Sequence, residues 1–234
     1  MRLENNMNFN SLFDVFVITN GRESFDYVIQ SLKNQIGVTS NIIEVRDKTW
    51  LDACNYCLAY SDKPYYFRID DDMILHPMTF LFYFEAVKNN KEENVVLFNY
   101  KLWEPWNKRL AGNLKVYNRK LTKVLGFEVD KNGRVDKIFK QKSEQNNFKY
   151  ASDKYSCVGI HAACSYKDNM FYSELRKEKG TERYKGRLKE IKFLDEVYKK
   201  FPLSKQLEMS NEDVYLYNKN NNTKFFKFIE KTVL

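Results

Sequence analysis

The sequence predicts an α/β fold: a mostly parallel, Rossmann-like sheet flanked by helices, followed by a helical C-terminal extension. Two observations carry this. Through the first hundred residues, short apolar runs rich in β-branched and aromatic residues alternate with segments of helical periodicity. Such alternation builds a parallel sheet with helices on both faces. After residue 166, apolar residues recur at helical spacing among many lysines, which gives the extension. The expected division is residues 1–165 for the sheet domain and 166–234 for a basic helical extension packed on it.

In chain order, "LFDVFVITN" (12–20) is a buried strand, and the segment after it places Phe25, Val28, Ile29 and Leu32 at helical spacing before Gly37. "NIIEV" (41–45) is a second strand. "TWLDACNYCLAYSD" resumes the helical period through Leu51, Cys54 and Leu58, and "YYFRI" is a third strand that runs into Asp70, Asp71 and Asp72. "PMTFLFYFEAVKNN" reads as a helix with Pro77 at its start, a favoured place for proline. "NVVLFNY" is a fourth strand.

In the second half, "KLWEPWNKRLAGN" carries Trp103, Pro105, Trp106 and Gly112 and reads as a loop. "LKVYNRKLTKVLGFE" reads as a strand and a short helix. "RVDKIFKQKSEQNN" is helical, with Val135, Ile138 and Phe139 on one face, and "YSCVGIHAAC" is a strand ending near His161. A long basic helix is expected from Ser173 to Phe201, striped by Tyr184, Leu188, Ile191, Leu194, Tyr198 and Phe201. "NKNNNT" breaks the chain before "FFKFIEKTVL". There Phe225, Phe226, Ile229 and Val233 share a helical face beside Lys224, Lys227 and Lys231. That face suits either packing on the protein's own core or peripheral contact with an anionic membrane.

A chain of 234 residues suits one domain of ordinary size, and 16% aromatic residues supply its core. The net charge of +8 is compatible with nucleic acid, an anionic surface or phosphorylated substrates. Much of the excess trails behind residue 167, where a solvated helix face accounts for most of the lysines. The N-terminus lacks the apolar segment of a signal peptide, and no run approaches the ~20 apolar residues of a membrane-spanning helix, so a cytoplasmic protein is expected. Cys54, Cys57, Cys157 and Cys164 fit that compartment as free thiols, since their spacing does not make a zinc knuckle.

Three consecutive aspartates at a strand end need an explanation. Two carboxylates about 4 Å apart repel by roughly 4 kcal/mol at an effective dielectric of about 20. Solvation relieves this, and so does a divalent cation. In parallel sheets ligands collect at the carboxyl ends of strands. Three polar clusters fall there: Thr19-Asn20-Gly21-Arg22, Arg46-Asp47-Lys48, and Asp70-Asp71-Asp72. Converging on one crevice, they favour the cation, because hard divalent ions take carboxylate oxygens and leave room for substrate phosphates.

The chain also resembles GT-A-fold glycosyltransferases of the large family-2 type, over roughly residues 13 to 163. "VITNGRESFDYVIQSLKNQ" resembles the family's opening strand, turn and helix. "VRDKTW" resembles the place of a base-binding aspartate. "ACNYCLAYSDKPYYFRIDDDMILHP" resembles the asparagine-bearing helix, strand and DxD motif. "VLGFEVDKNGRVDKIFKQKSEQNNFKYASDKYSCVGIHA" resembles the acceptor-side stretch, with a Gly-Phe loop, an acidic base motif and a later metal-binding histidine.

The resemblance implies that residues 1–165 form a nucleotide-sugar-binding and catalytic domain. Thr19, Asn20, Arg22, Asp47, Asn55, Asp70 and Asp71 would bind the donor, and Asp72, with Asp70 and His161, would hold Mn²⁺ or Mg²⁺. Asp136 would be the base that takes the acceptor hydroxyl's proton, although the family often has Glu-Asp where this chain has Val135-Asp136. The implied function is metal-dependent, inverting transfer from a nucleotide-diphosphate sugar to a glycan or lipid-linked acceptor in surface polysaccharide synthesis. No nucleic-acid partner is expected, because the basic excess trails the carboxylates. Three other readings compete, one of them a degenerate, non-catalytic binding protein. A sugar-nucleotide nucleotidyltransferase calls for a glycine-rich phosphate loop, and "TNGRES" supplies one glycine. A metal-dependent nucleic-acid module calls for a basic stripe beside the acids.

Overall fold

The computed structural model describes residues 9–130, 133–163, 192–208 and 210–233. After a single turn α1 (Phe9–Leu12), β1 (Phe13–Thr19) leads through a loop to α2 (Phe25–Lys33), and β2 (Ile42–Arg46) to α3 (Trp50–Tyr60). Next come β3 (Tyr65–Asp70), the short β4 (Met73–Leu75) and α4 (Thr79–Lys88). Then β5 (Val95–Glu104) and β6 (Arg109–Asn118) form a hairpin, followed by α5 (Arg119–Leu125), α6 (Val135–Gln145) and the long β7 (Lys149–His161). Residues 192–200 are helical, and the chain continues through α7 (Leu203–Glu208), α8 (Ser210–Asn220) and α9 (Lys224–Val233).

Among the described residues seven strands form one sheet in the order β2-β1-β3-β6-β5-β7-β4. The expected parallel pattern holds for β2, β1 and β3. Antiparallel β6 separates β3 from β5, and β4 pairs antiparallel with β7, so the sheet is mixed. The stretch read as a loop at Trp103–Gly112 is the end of β5, a turn and the start of β6. Its tryptophans, proline and glycine sit in and around a hairpin. Pro77 lies in a turn just ahead of α4 rather than inside its first turn. Most of the Ser173–Phe201 helix expectation falls outside the described residues, which begin again at 192.

Strand alternation sorts the core into two layers. Phe13, Val15 and Val17 of β1 and Phe67 and Ile69 of β3 face α2, α4 and α9. Phe16, Ile18 and Tyr66 face α3, α5 and α6. Cys54, Cys57 and Cys157 are buried free thiols, and burial pushes Cys54 up to about 11 and Cys157 up to about 12. They are inert packing groups.

The C-terminal helices close over β7. The Asn218 carboxamide clips its backbone, accepting from Cys157 N at 3.0 Å and donating to Cys157 O at 2.8 Å. Gln206 does the same at Ala163. Phe225, Phe226 and Ile229 of α9 are buried, and Phe225 and Ile229 join the core beside Phe82 and Tyr100. Phe225, Phe226 and Ile229 of the tail are therefore packed inside the protein. No helix among the described residues is long and apolar enough to cross a membrane.

Candidate active site

β3 stops at Asp70, and Asp71 and Asp72 form the turn that follows. Asp71 is 1% exposed. Its Oδ2 accepts from Thr19 Oγ1 at 2.8 Å and Asn20 N at 3.0 Å, and its Oδ1 lies 3.5 Å from Arg22 Nε. Thr19 Oγ1 in turn accepts from Gly21 N at 2.9 Å. Thr19 and Asp71 thus brace the loop after β1 from inside. Burial, set against the Arg22 charge, raises the Asp71 pKa above its ordinary value.

Asp72 is paired with Arg22 Nη1, and the same oxygen lies 3.6 Å from His161 Nε2. Burial pushes this carboxyl up, but Arg22 and then His161 outweigh it and hold it well below the usual carboxylate range. Arg22, itself 6% exposed, touches both Asp71 and Asp72 and offsets much of the repulsion between them.

The backbone places His161. Met73 pairs with His161 in the β4–β7 ladder, and Ala162 N donates to Asp72 O at 2.8 Å. That register depends on Gly159, where a Cβ would meet Ile74 O at 2.5 Å and Leu75 Cα at 2.9 Å. On its other side, His161 Nδ1 lies 3.5 Å from Glu104 Oε1. Burial lowers the imidazole pKa, but Asp72 and Glu104 overcome that and raise it to about 10. Glu104 is 6% exposed, and its Oε2 also takes Arg109 Nε at 2.9 Å.

Asp70, Asp136 and His161 line one cavity of about 200 Å³, together with Trp50, Arg68 and Lys115. Asp136, in the first turn of α6, meets Lys115 Nζ at 2.8 Å and Arg68 Nη2 at 3.2 Å. Burial would raise its pKa, yet Lys115 and Arg68 hold it well below the usual range. Arg68 is 4% exposed, fixed by Cys54 Sγ at 3.0 Å and the ring faces of Trp50 and Tyr117 at 4.4 and 5.1 Å.

The structure therefore brings Thr19, Asn20, Arg22, Asp70, Asp71, Asp72, Asp136 and His161 to one end of the sheet. Asp47 is exposed at the end of β2, beside the Thr19–Arg46 pair, in the left-handed region at φ 55°. Asn55 lies on the exposed side of α3, opposite the buried Cys54 and Cys57. Glu104, Arg68, Lys115 and Trp50 were not singled out from sequence. Signals for three of them existed. Glu104 continues the buried phase of Tyr100 and Leu102 in β5, and Arg68 and Lys115 are charges inside strands.

The donor set tests whether an ion fits. Asp72 Oδ1 is buried with no hydrogen-bond partner, and an imidazole nitrogen stands beside the other oxygen. Glu104 backs that imidazole from its far nitrogen, as carboxylates commonly do behind metal-bound histidines. Among the described residues no three His, Cys, Asp or Glu side chains cluster to hold an ion by themselves. Asp72 and His161 fit an open site that substrate oxygens and water complete.

No protein-family model matches this chain, and no curated protein sequence matches it. Solved structures do. It is similar to the mannosyltransferase PcManGT from Pyrobaculum calidifontis in complex with GDP-Man and Mn²⁺, at 13% identity over 94% of this chain and 78% of that one, with a TM-score of 0.51. It is similar to residues 1–349 of TarS from S. aureus at 12% identity, over 82% and 73% of the two chains, TM-score 0.47. A cytidylyltransferase from Leptospira borgpetersenii is similar at 9% identity over 79% and 95%, TM-score 0.45. With the mixed seven-stranded sheet and its flanking helices, the likeness to PcManGT shows that this chain has a GT-A-type glycosyltransferase fold.

Proposed function

We propose that the protein is a metal-dependent glycosyltransferase. It moves a sugar from a nucleotide-diphosphate sugar to a glycan or lipid-linked acceptor with inversion, in the synthesis of a surface polysaccharide at the cytoplasmic side. The observation that carries this reading is the approach of His161, at the carboxyl end of β7, to Asp72, just past the end of β3, with a buried Asp72 oxygen left over. PcManGT, which shares the fold, is described in complex with GDP-Man and Mn²⁺.

In this reading Asp72 and His161 hold Mn²⁺ or Mg²⁺, with Asp70 facing the same cavity. The bound ion supplies neutralisation of the charge that grows on the leaving nucleoside diphosphate. The loop from Thr19 to Arg22 and Asp47 cradle the nucleotide, and Thr19 and Asp71 act on it by fixing that loop. Asp136 accepts the proton of the acceptor hydroxyl. Lys115 and Arg68 keep it ionised, the state a base requires, but make it a weak base until those contacts loosen.

The test is a screen of nucleotide sugars for Mn²⁺-dependent thermal stabilisation, since a ligand that binds the folded state raises its apparent stability by mass action. A nucleoside-diphosphate sugar should stabilise the wild type and not Asp72→Ala. Stabilisation by nucleoside triphosphates with pyrophosphate release would instead identify a nucleotidyltransferase.

A further inference from the structure

A second concave site lies at the other end of the sheet. Asp70, at the catalytic crevice, ends β3, and Tyr65 begins it, roughly 17 Å away for a strand of this length. Tyr65 pairs with Asn118 at the end of β6, where α5 starts at once. Between the loop before β3 and α5 lies a cleft of about 500 Å³. Lys63, Arg119, Lys120 and Lys123 line it, against a single carboxylate from Asp62, with Pro64 and Tyr65 as an apolar wall.

The cleft is held in place. The Asp14 carboxylate accepts from Ser61 Oγ, Asp62 N and Lys63 N at 2.9, 2.9 and 3.2 Å, which fixes the loop. Arg119 N donates to Pro64 O at 2.9 Å and ties the two walls together. Asp14 is thereby used on the backbone and does not neutralise the lysines.

The charges of the cleft are also unbalanced, whereas several cations elsewhere are paired. Arg134, Lys142 and Lys149 each find a carboxylate, from Asp130, Glu128 and Glu92. Arg119, Lys120 and Lys123 pair with none among the described residues, and Arg119 Nε is buried without a hydrogen-bond partner. Residues 119 and 123, and 120 and 123, stand at the helical spacings where like charges repel. No carboxylate ion pair among the described residues offsets that arrangement. An anion would.

We propose that this cleft binds a phosphate-bearing ligand, separate from the catalytic crevice. Arg119 offers a planar fork suited to phosphate oxygens and the lysines offer point charges. The walled shape suits a discrete polyanion, or a phosphorylated segment of a longer chain, better than the flat face of a bilayer.

The test is calorimetric titration of the full chain with inorganic triphosphate in EDTA, which silences the metal-dependent crevice. Saturable binding is expected. It should weaken by roughly tenfold or more in Arg119→Ala/Lys120→Ala/Lys123→Ala, as loss of charged partners does. It should be unchanged in Asp72→Ala and in Lys91→Ala/Lys137→Ala/Lys227→Ala, which removes three exposed charges elsewhere. Circular dichroism melts confirm that each variant is folded. An equal loss in the control triple would mean diffuse attraction to a basic protein and would overturn the site. So would absence of saturable binding, or cleft-dependent adsorption to phosphatidylglycerol vesicles without triphosphate binding, which would assign the patch to a membrane.

Discussion

Arg68 and Lys115 stand directly opposite one another in the antiparallel β3–β6 ladder, and a single carboxylate, Asp136, closes on both. Facing like charges destabilise a sheet. Here they are tolerated because α6 delivers a counter-charge to the pair. The same geometry puts the expected base in contact with two cations that line the crevice.

Asp136→Asn should leave donor and metal affinity close to normal, because their ligands lie at the other strand ends. Transfer should fall by roughly two to four orders of magnitude, the usual contribution of a positioned base. Stability should drop by about 1–2 kcal/mol, a buried-pair value discounted because 53% of the Asp136 side chain is exposed. Parallel measurement of transfer rate and donor affinity decides. Near-normal transfer removes Asp136 from the mechanism, and lost donor binding recasts it as part of the cradle.

Metal binding should release a proton. With its pKa raised to about 10, His161 is protonated at neutral pH in the ion-free protein, and an ion must displace that proton. Affinity for Mn²⁺ should therefore rise with pH. Titration calorimetry in buffers of different ionisation enthalpy should count about one proton released per ion in the wild type. His161→Ala should bind more weakly and release none. A buffer-independent enthalpy in the wild type would show that the ion does not use this imidazole.

Gly159→Ala tests how His161 is placed. The added methyl would fall 2.5 Å from Ile74 O, so β4 or β7 must shift. Overpacking of this kind costs about 1–3 kcal/mol. Denaturant melts should show that loss together with weakened Mn²⁺ affinity. Unchanged affinity at reduced stability would separate the ladder from the site.

Acid stability should report on His76. Burial lowers its imidazole to about 4, and its Nδ1 accepts from Met78 N at 3.2 Å, a bond that protonation removes. Between pH 6.5 and 4 the unfolded chain binds this proton and the folded chain does not. The stabilisation is thus complete above 6.5 and is lost as pH falls toward 4, in total on the order of 2–3 kcal/mol. Urea unfolding at pH 7.5 and pH 4.5 measures it. His76→Asn should flatten the difference, and an undiminished slope in that variant would assign it to other groups.

The tail gives a contrast between packing and anchoring. Phe225 is fully buried against Phe82 and His76. Phe225→Ala should cost about 3–5 kcal/mol, as deletion of a core aromatic does. A tail that served as a membrane anchor would show little change in melting but reduced sedimentation with anionic liposomes.

Local pattern made much of this legible. The apolar, β-branched run ending at Asn20 gave β1 as a buried strand, and the run YYFRI followed by aspartates gave the crevice end of β3. Strand order is not a local property, and nothing in residues 109–118 announces insertion between β3 and β5. The hairpin was hidden because Trp103, Pro105 and Trp106 have loop-like composition while Leu102 and Glu104 still point inward. Glu104 was missed for that reason. A carboxylate on the core side of a strand needs a partner, and His161 supplies it from 57 residues later in the chain, a distance that spacing rules do not reach.

The clip of Asn218 on Cys157 also sets a schedule. The two residues are 61 positions apart, which at ordinary rates of synthesis is roughly 3 to 12 seconds of elongation. During that interval a growing chain has its first three strands and all three aspartates, but the strand end carrying His161 lacks the helices that hold it. The Thr19–Arg22 loop and the three aspartates are therefore synthesised early, and the contact that holds the strand end bearing His161 is completed late.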